Sequence, residues 1–138
     1  MSLADTKTIY GTAGTEGDGS SREAWVKVDY NFTNDGGAIS DLDVFTAGAD
    51  LVVTDFYYDV TTAILPATTV ALDLGVTDGE TSFWSNKASS ALTLNSGGGM
   101  DTAAPIRVNA AQAVVLGIES QAITAGVISF FFKVRRII

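Results

Sequence analysis

A regular alternation of apolar and polar side chains between positions 49 and 75 constrains the fold of this chain more than any other feature. In the first half of the stretch Phe56, Tyr58 and Val60 stand at even positions, and the second half continues in the same phase. A period of two is expected of a half-buried β-strand. Between the halves, Pro66 fixes its own φ and disfavours helical backbone in the residue before it, so a turn or short loop joins them. The stretch therefore predicts two long antiparallel strands that share one apolar sheet face.

The same alternation predicts further strands along the chain. They cover residues 7–11, 26–32, 81–85, 92–94, 106–108, 113–119 and 125–136. Residues 38–48 keep no strict period of two. Two structures fit this segment equally well, an irregular strand with a bulge or a short helical turn. The NDGG sequence at positions 34–37 favours a tight reversal. Turn signals at this spacing are typical of an all-β sandwich or barrel, and we predict an antiparallel β-sandwich, jelly-roll-like, of about eight strands.

The domain organisation follows from length and from one polar segment. A chain of 138 residues is an ordinary single domain, and we assign residues 1–138 to it. The segment 11–23 is polar, glycine-rich and acidic, so it cannot bury enough apolar area to offset its ordering entropy. We expect a short N-terminal arm over about residues 1–10 and a mobile loop over about residues 11–23.

Composition and charge exclude several classes of function. The chain has no cysteine and no histidine, which removes disulfides, thiolate chemistry and the commonest general base. Sixteen acidic residues against eight basic ones give a formal net charge of -8, which repels phosphate backbones and anionic membrane surfaces. No run of about 18 apolar residues and no secretory leader pattern occurs. We therefore expect neither nucleic acid nor a membrane as a partner.

Carboxylates and hydroxyls are the groups left that could carry chemistry. Asp55, Asp59 and Asp73 fall on the polar phase of the predicted strand pair and could act on a sugar, but a solvated sheet face is the favoured interpretation. A nucleophilic hydroxyl would need a lysine as its base, and no lysine stands in a serine-lysine motif. We predict that the chain is not an enzyme and binds no cofactor. Several acidic residues beside glycine are explained more simply as turn formers than as calcium ligands. They and their neighbours are Glu16, Asp18, Asn34, Asp35, Asp78 and Glu80.

A few exposed or basic residues are candidates for contact with a partner. Trp25 and Tyr57 lie on the polar phase of their strands. The last strand is apolar on both sides around Phe131, so it is either central in its sheet or covered by a partner chain. Its basic end fits an ion-pairing edge that meets an acidic neighbour, and charges that block sheet aggregation fit equally well. The predicted partner contacts are Trp25, Tyr57, Phe131, Lys133, Arg135 and Arg136.

Several stretches carry a resemblance to a known class of proteins. They are DLVVTDFYYDVTTAILPATTVALDLG, the VTDGETSFWS that follows it, and the terminal AGVISFFFKVRR. In these stretches the chain resembles the small all-β structural proteins of tailed bacteriophages, especially the capsid decoration or head-stabilising class. The resemblance implies a virion component, assembled in the host cytoplasm, that binds the major capsid protein or another virion protein as a homo-oligomer, commonly a trimer.

The alternative is a carbohydrate-binding or host-recognition module of the kind found in phage fibres. It would use an aromatic side chain such as Trp25 or Tyr57, together with calcium in the acidic loops.

Overall fold

The computed structural model describes residues 8–11, 23–76, 79–99 and 105–136, and these residues form an antiparallel β-sandwich, as predicted. The described residues contain ten strands, two of which are only three residues long. A short helix, α1 (Phe32–Asp35), and a 3-10 turn (Ser89–Ala91) lie in the connections. The strands are β1 (Thr8–Gly11), β2 (Glu23–Asn31), β3 (Ser40–Thr46), β4 (Leu51–Leu65), β5 (Ala71–Val76), β6 (Gly79–Ala88), β7 (Gly97–Gly99), β8 (Ile106–Val108), β9 (Ala113–Glu119) and β10 (Ala125–Arg136).

The strands are divided between a larger and a smaller sheet. The larger sheet has the order β1-β2-β10-β4-β7, with β8 also pairing with β4, and the smaller sheet has the order β3-β9-β5-β6. From β2 to β5 each successive strand lies in the other sheet, so the chain wraps around its own core.

The predicted pairing of the two strands in the 49–75 stretch is wrong. β4 lies in the larger sheet between β10 and β7, whereas β5 lies in the smaller sheet between β9 and β6. Phe56 on β4 and Leu72 on β5 are both buried, but they enter the core from opposite sides. Alternation reports which side of a strand is buried and carries no information on which strand is its neighbour.

An aromatic cluster fills the middle of the sandwich. Phe56 on β4 lies 5.0 Å from Phe132 on β10 and 5.2 Å from Phe83 on β6, measured between ring centroids. Trp84 on β6 packs edge to face against Phe130 at 5.4 Å. All five rings are at most 1% exposed. Rings of this size dominate the apolar area that a small domain buries, so these contacts hold the two sheets together.

The structure defines two regions whose conformation the sequence predicts only loosely, residues 38–48 and the NDGG reversal. β3 is the irregular strand with a bulge, because its register against β9 shifts between Asp43 and Phe45. The NDGG reversal begins in the second half of α1, and Gly36 continues the chain with a φ of 77°. Asn31 caps α1, since its side chain accepts a hydrogen bond from the Thr33 N–H.

The segment after β6 differs from the prediction. The strand predicted at residues 92–94 is wrong: Leu92 is buried after the 3-10 turn, while Leu94 is 59% exposed. Gly97–Gly99, for which no strand is predicted, pairs with β4 as β7. A Cβ atom at Gly97 would lie 2.8 Å from the Tyr58 carbonyl oxygen, so the absence of side chains lets this strand approach.

The N-terminal part of the chain is described only over β1, which pairs with β2 as the 7–11 pattern predicts. The rest of the predicted arm and nearly all of the predicted mobile loop, residues 1–7 and 12–22, lie outside the described residues. Within the described ranges, no helix has the length and apolar character needed to cross a membrane.

Candidate functional site

The side of the larger sheet that points away from the smaller sheet, here called the outer face, gathers the predicted contact residues. β10 is central in this sheet, flanked on one side by β2 and on the other by β4. Phe131 therefore stands in register between Lys27 and Tyr57, and Lys133 stands between Trp25 and Asp55. The sequence allowed the apolar last strand to be either central in its sheet or covered by a partner chain. The structure shows that β10 is central in its sheet.

Three rings on the outer face form a connected aromatic cluster of Trp25, Tyr57 and Phe131. Tyr57 and Phe131 stack with ring centroids 4.4 Å apart and planes inclined by 11°. Trp25 meets Tyr57 edge on at 5.5 Å, and Lys27 Nζ lies 6.0 Å from the centre of the Phe131 ring. Tyr57 is 44% exposed, while Trp25 and Phe131 are half-buried. Rings that hold one another in place lose little conformational entropy when a partner covers them.

Charges surround the aromatic cluster. Lys27 Nζ lies 3.7 Å from Asp29 Oδ2, and since both side chains remain partly exposed to water this pair is of small energetic value. Arg135 and Arg107 flank Val52 in one row across β10, β4 and β8. Arg107 Nη2 in turn lies 3.2 Å from a carboxylate oxygen of Asp50. The outer face thus alternates cations and anions around the three rings.

The opposite face of the sandwich is acidic. Asp41 is exposed and Asp43 half-buried on β3, while Asp73, which lies across Gly117 from Asp41, is buried. Lys87 of the same sheet has its ammonium group 5.8 Å from the centre of the Tyr58 ring and 5.7 Å from that of Trp84. The described cations are therefore concentrated on the larger sheet, within a chain whose net charge is -8.

The structure brings most of the predicted contact residues together. Trp25, Tyr57 and Phe131 touch, and Lys133 is the register partner of Trp25. Arg135 and Arg136 are exposed at the end of β10. That these residues contact a partner stays a prediction. Sequence reasoning missed Lys27 as a member of the cluster, although it shares the polar phase of Trp25 on β2.

The predicted grouping of three carboxylates on one strand pair is wrong. Asp55 and Asp59 lie on β4 in the larger sheet, whereas Asp73 lies on β5 in the smaller one. Asp73 is only 7% exposed, and its Oδ1 accepts a hydrogen bond from the Asn86 N–H at 2.7 Å. Its carboxylate thus has a structural partner and cannot form an acid and base pair with either of the other two.

The acidic turns do not assemble a metal site in the part of the chain that the structure describes. No three potential ligands drawn from histidine, cysteine, aspartate and glutamate come together there. Asp35 Oδ2 accepts a hydrogen bond from the Asn31 N–H at 2.8 Å, which supports the turn interpretation. Glu16, Asp18, Asp78 and the side chain of Glu80 lie outside the described residues.

Comparison with known proteins gives structural neighbours from a single kind of particle. No protein-family model and no curated protein matches the sequence. A chain of the cyanophage Pam1 capsid asymmetric unit has a TM-score of 0.67 and 17% identity, over 91% of this chain and 92% of that one. A chain of the acid-stable capsid of Helicobacter pylori bacteriophage KHP30 has a TM-score of 0.59 and 9% identity, over 94% and 93%. A chain of the capsid of Ralstonia phage GP4 has 0.59 and 13%, over 94% and 91%.

The chain has the fold of these phage capsid chains. More than nine tenths of this chain and of each matched chain is aligned in all three comparisons, so the shared fold extends over nearly the whole chain and not over a single hairpin. The coverage also shows that the matched chains are close to this one in length. At 9 to 17% identity the likeness concerns the fold, and the outer face has to be judged on its own chemistry.

Proposed function

We propose that the chain is a non-enzymatic structural protein of a bacteriophage virion that binds the capsid surface as a decoration protein. The observation that carries this proposal is the end-to-end match of the whole domain to chains from three phage capsids. Its partner would be the major capsid protein or another virion protein, and it would act as a trimer or another cyclic oligomer. Many weak contacts repeated over a shell add up through multivalency to a large stabilisation.

The form of the domain favours decoration over shell building. Both sheets close around one core, and the described strands leave the outer face of the larger sheet without a covering layer. A domain that is complete by itself can attach to a finished surface as a separate unit. A closed shell, by contrast, requires each subunit to exchange extensive surface with all of its neighbours.

The outer face is the surface best suited to meet the capsid. Its aromatic cluster supplies the rigid apolar centre that carries most of the energy of typical interfaces. The surrounding Lys27, Lys133 and Arg135 would meet acidic groups of the partner and fix its orientation. Among the described residues, the ion pair of Lys27 with Asp29 lies beside the cluster, and that of Arg107 with Asp50 lies nearer the end of β4 where it pairs with β8.

Absence of catalysis is part of the proposal. The sequence has no histidine or cysteine, and the three carboxylates singled out as candidates are divided between two sheets. A general acid and base pair would need two such groups converging on one cleft.

Mass spectrometry of purified particles tests the role directly. We expect this chain at high copy number, in a fixed ratio to the major capsid protein. A copy number of a few per particle would instead indicate a fibre or tail component, and absence from the particle would overturn the proposal.

A binding experiment tests the face. Particles stripped of the protein would be incubated with the wild-type chain and with the double variants Tyr57→Ser/Phe131→Ser and Lys133→Glu/Arg135→Glu. Each is expected to lower occupancy at least tenfold, because each removes a central contact or reverses charge at its rim. Lys87→Glu, which reverses a charge at the edge of the sandwich, is the matched control and should bind normally. Normal binding by both double variants would exclude the outer face.

A carbohydrate-binding module is the second candidate, favoured by the exposure of Tyr57 at 44%. Sugars stack on ring faces, but one face of Tyr57 already lies against Phe131. This contact favours a protein partner. A glycan array with and without chelator separates the two, since selective and chelator-sensitive binding would support the lectin alternative.

A further inference from the structure

One end of the sandwich is built from four connections, residues 32–39, 66–70, 89–96 and 120–124, and is called the loop end below. Backbone hydrogen bonds tie these connections to one another and to the strand ends beside them. Ile123 N–H donates to the Gly37 carbonyl oxygen at 2.7 Å, and Thr124 N–H donates to that of Leu65 at 2.8 Å. Ile64 N–H donates to the Leu92 carbonyl oxygen at 3.1 Å, and Ser89 N–H to that of Val70 at 2.9 Å. The four connections therefore form one continuous surface.

The loop end carries most of the exposed large hydrophobic side chains. Ile39 is 60% exposed, Leu94 59% and Leu65 42%. These are three of the four large hydrophobic residues that are exposed in the described ranges, and the fourth, Tyr57, belongs to the outer face. Ile39 and Leu94 come from two of the connections and Leu65 is the last residue of β4, so no local sequence pattern explains their coincidence. Apolar side chains gathered in this way mark a surface that another molecule covers.

The loop end is also poor in charge. The four connections contain no lysine or arginine, and their single acid is Asp35, which accepts the Asn31 N–H. Glu119 is the nearest other acid, at the end of β9. The opposite end holds the Asp50 and Arg107 ion pair and the basic end of β10.

We propose that the loop end is a self-association surface, occupied by the loop end of a second copy of this chain. Two copies of a chain with net charge -8 repel each other wherever acidic surfaces are brought together. The acidic face of the smaller sheet cannot meet itself without apposing like charges, which costs several kcal/mol in typical interfaces. The loop end is the described surface on which two copies can bury apolar area while keeping their charges apart.

The area is small, so the association is expected to be weak in solution. Three side chains fall well short of the roughly 800 Å² per partner of a stable interface. The inference concerns the free protein and does not depend on the virion role, so either can fail without the other.

Sedimentation velocity over a concentration series tests it. The wild-type chain should show a rising average sedimentation coefficient, and added NaCl should strengthen the association because it screens repulsion between like-charged copies. The variant Ile39→Asp/Leu94→Asp should remain monomeric at all concentrations. Thr46→Asp, which adds a charge at the opposite end of the sandwich, should associate like the wild type.

A cross-linking experiment locates the contact. Because the chain has no cysteine, Leu94→Cys introduces a single reporter thiol at an exposed site. Mild oxidation should give disulfide-linked dimers at least fivefold faster for Leu94→Cys than for Thr46→Cys. Equal cross-linking rates for the two cysteine variants would overturn the proposal, and so would a wild-type chain that is monomeric at the highest concentration. Weakening of the association by salt would also overturn it, in favour of contact between the acidic and basic faces.

Discussion

At the scale of single residues, Tyr30 shows how one polar group can be tied into an apolar core. Its side chain is fully buried, and its hydroxyl donates a hydrogen bond to the Gly36 carbonyl oxygen at 2.6 Å. That bond fastens the reversal around α1 to the sheet. Burial raises the pKa of Tyr30 above its ordinary value, and the nearby Asp35 carboxylate raises it further.

The raised pKa of Tyr30 predicts a loss of stability at alkaline pH. Below about pH 10 the phenol is protonated in the folded and in the unfolded chain, so its ionisation does not change the free energy of unfolding. Above that pH only the unfolded chain releases the proton. The free energy of unfolding should therefore fall by up to about 1.4 kcal/mol per pH unit from this group. Urea unfolding at pH 7 to 11.5 measures it. Tyr30→Phe should lose about 1 kcal/mol at pH 7 and show a shallower alkaline slope than the wild type.

Gly37 gives a second residue-scale prediction. A Cβ atom there would overlap the Ile123 carbonyl group, which belongs to a backbone that cannot easily shift. Gly37→Ala is expected to lower the free energy of unfolding by about 2 to 3 kcal/mol. Gly48 has nothing within 4 Å of its would-be Cβ, so Gly48→Ala serves as the control and should change stability little. Equal effects of the two variants in urea unfolding would contradict the explanation.

At the scale of elements, β10 is the strand on which core and surface both depend. It pairs with β2 along nine residues in continuous register. Its pairing with β4 is interrupted, because the register shifts at three places. Its inward residues Phe130 and Phe132 are fully buried, while Phe131 points outward into the aromatic cluster. One run of three phenylalanines therefore serves the stability of the sandwich and the candidate contact face.

Alanine substitutions in β10 should separate these two roles. Phe132 packs against Phe45, Phe56 and Phe83, so Phe132→Ala should cost about 3 to 5 kcal/mol of unfolding free energy. Phe131→Ala leaves the core intact and should cost about 1 kcal/mol, the value of its stacked pair with Tyr57. Thermal and urea unfolding of both variants provide the measurement. A larger loss for Phe131→Ala would mean that the outer face holds the fold together.

At the scale of the whole molecule, charge is unevenly distributed over the surface of the sandwich. The described cations lie mainly on the larger sheet, the smaller sheet is acidic on its exposed side, and the loop end is nearly uncharged. Three surfaces of different chemistry on one small domain suit a protein that meets different neighbours in different directions. Each would be matched by its own partner chemistry.

The net charge predicts how the isolated domain responds to salt. Self-repulsion at a charge of -8 destabilises the compact state, whereas the described ion pairs at 3.2 and 3.7 Å are exposed or half-exposed and contribute little. Raising NaCl from about 0.01 to 0.5 M should therefore raise the free energy of unfolding, by up to about 1 kcal/mol, because it screens the repulsion. Urea unfolding of a dilute sample measures this without self-association. A decrease with salt would show that attractive ion pairs outweigh the repulsion.

Much of the candidate face could be predicted from the sequence. Trp25 and Tyr57 stood out because they interrupt the polar phase of their strands, and Phe131 because it makes the last strand apolar on both sides. Lys27 was missed, since a lysine on a polar phase is unremarkable until the register places it opposite Phe131. The exposed Ile39, Leu65 and Leu94 share no periodic pattern, so only the convergence of their connections reveals the loop end.

The sequence by itself determined which side of each strand is buried, where most strands run, and that the fold is all-β, because a period of two is a local property of extended backbone. Only the tertiary structure decided the partners. β4 and β5 share an apolar phase yet lie in different sheets, and three glycines form a strand because the edge of β4 offers them hydrogen bonds. Pairing depends on residues far apart in the chain, whose competing registers differ by small free energies that no local pattern records.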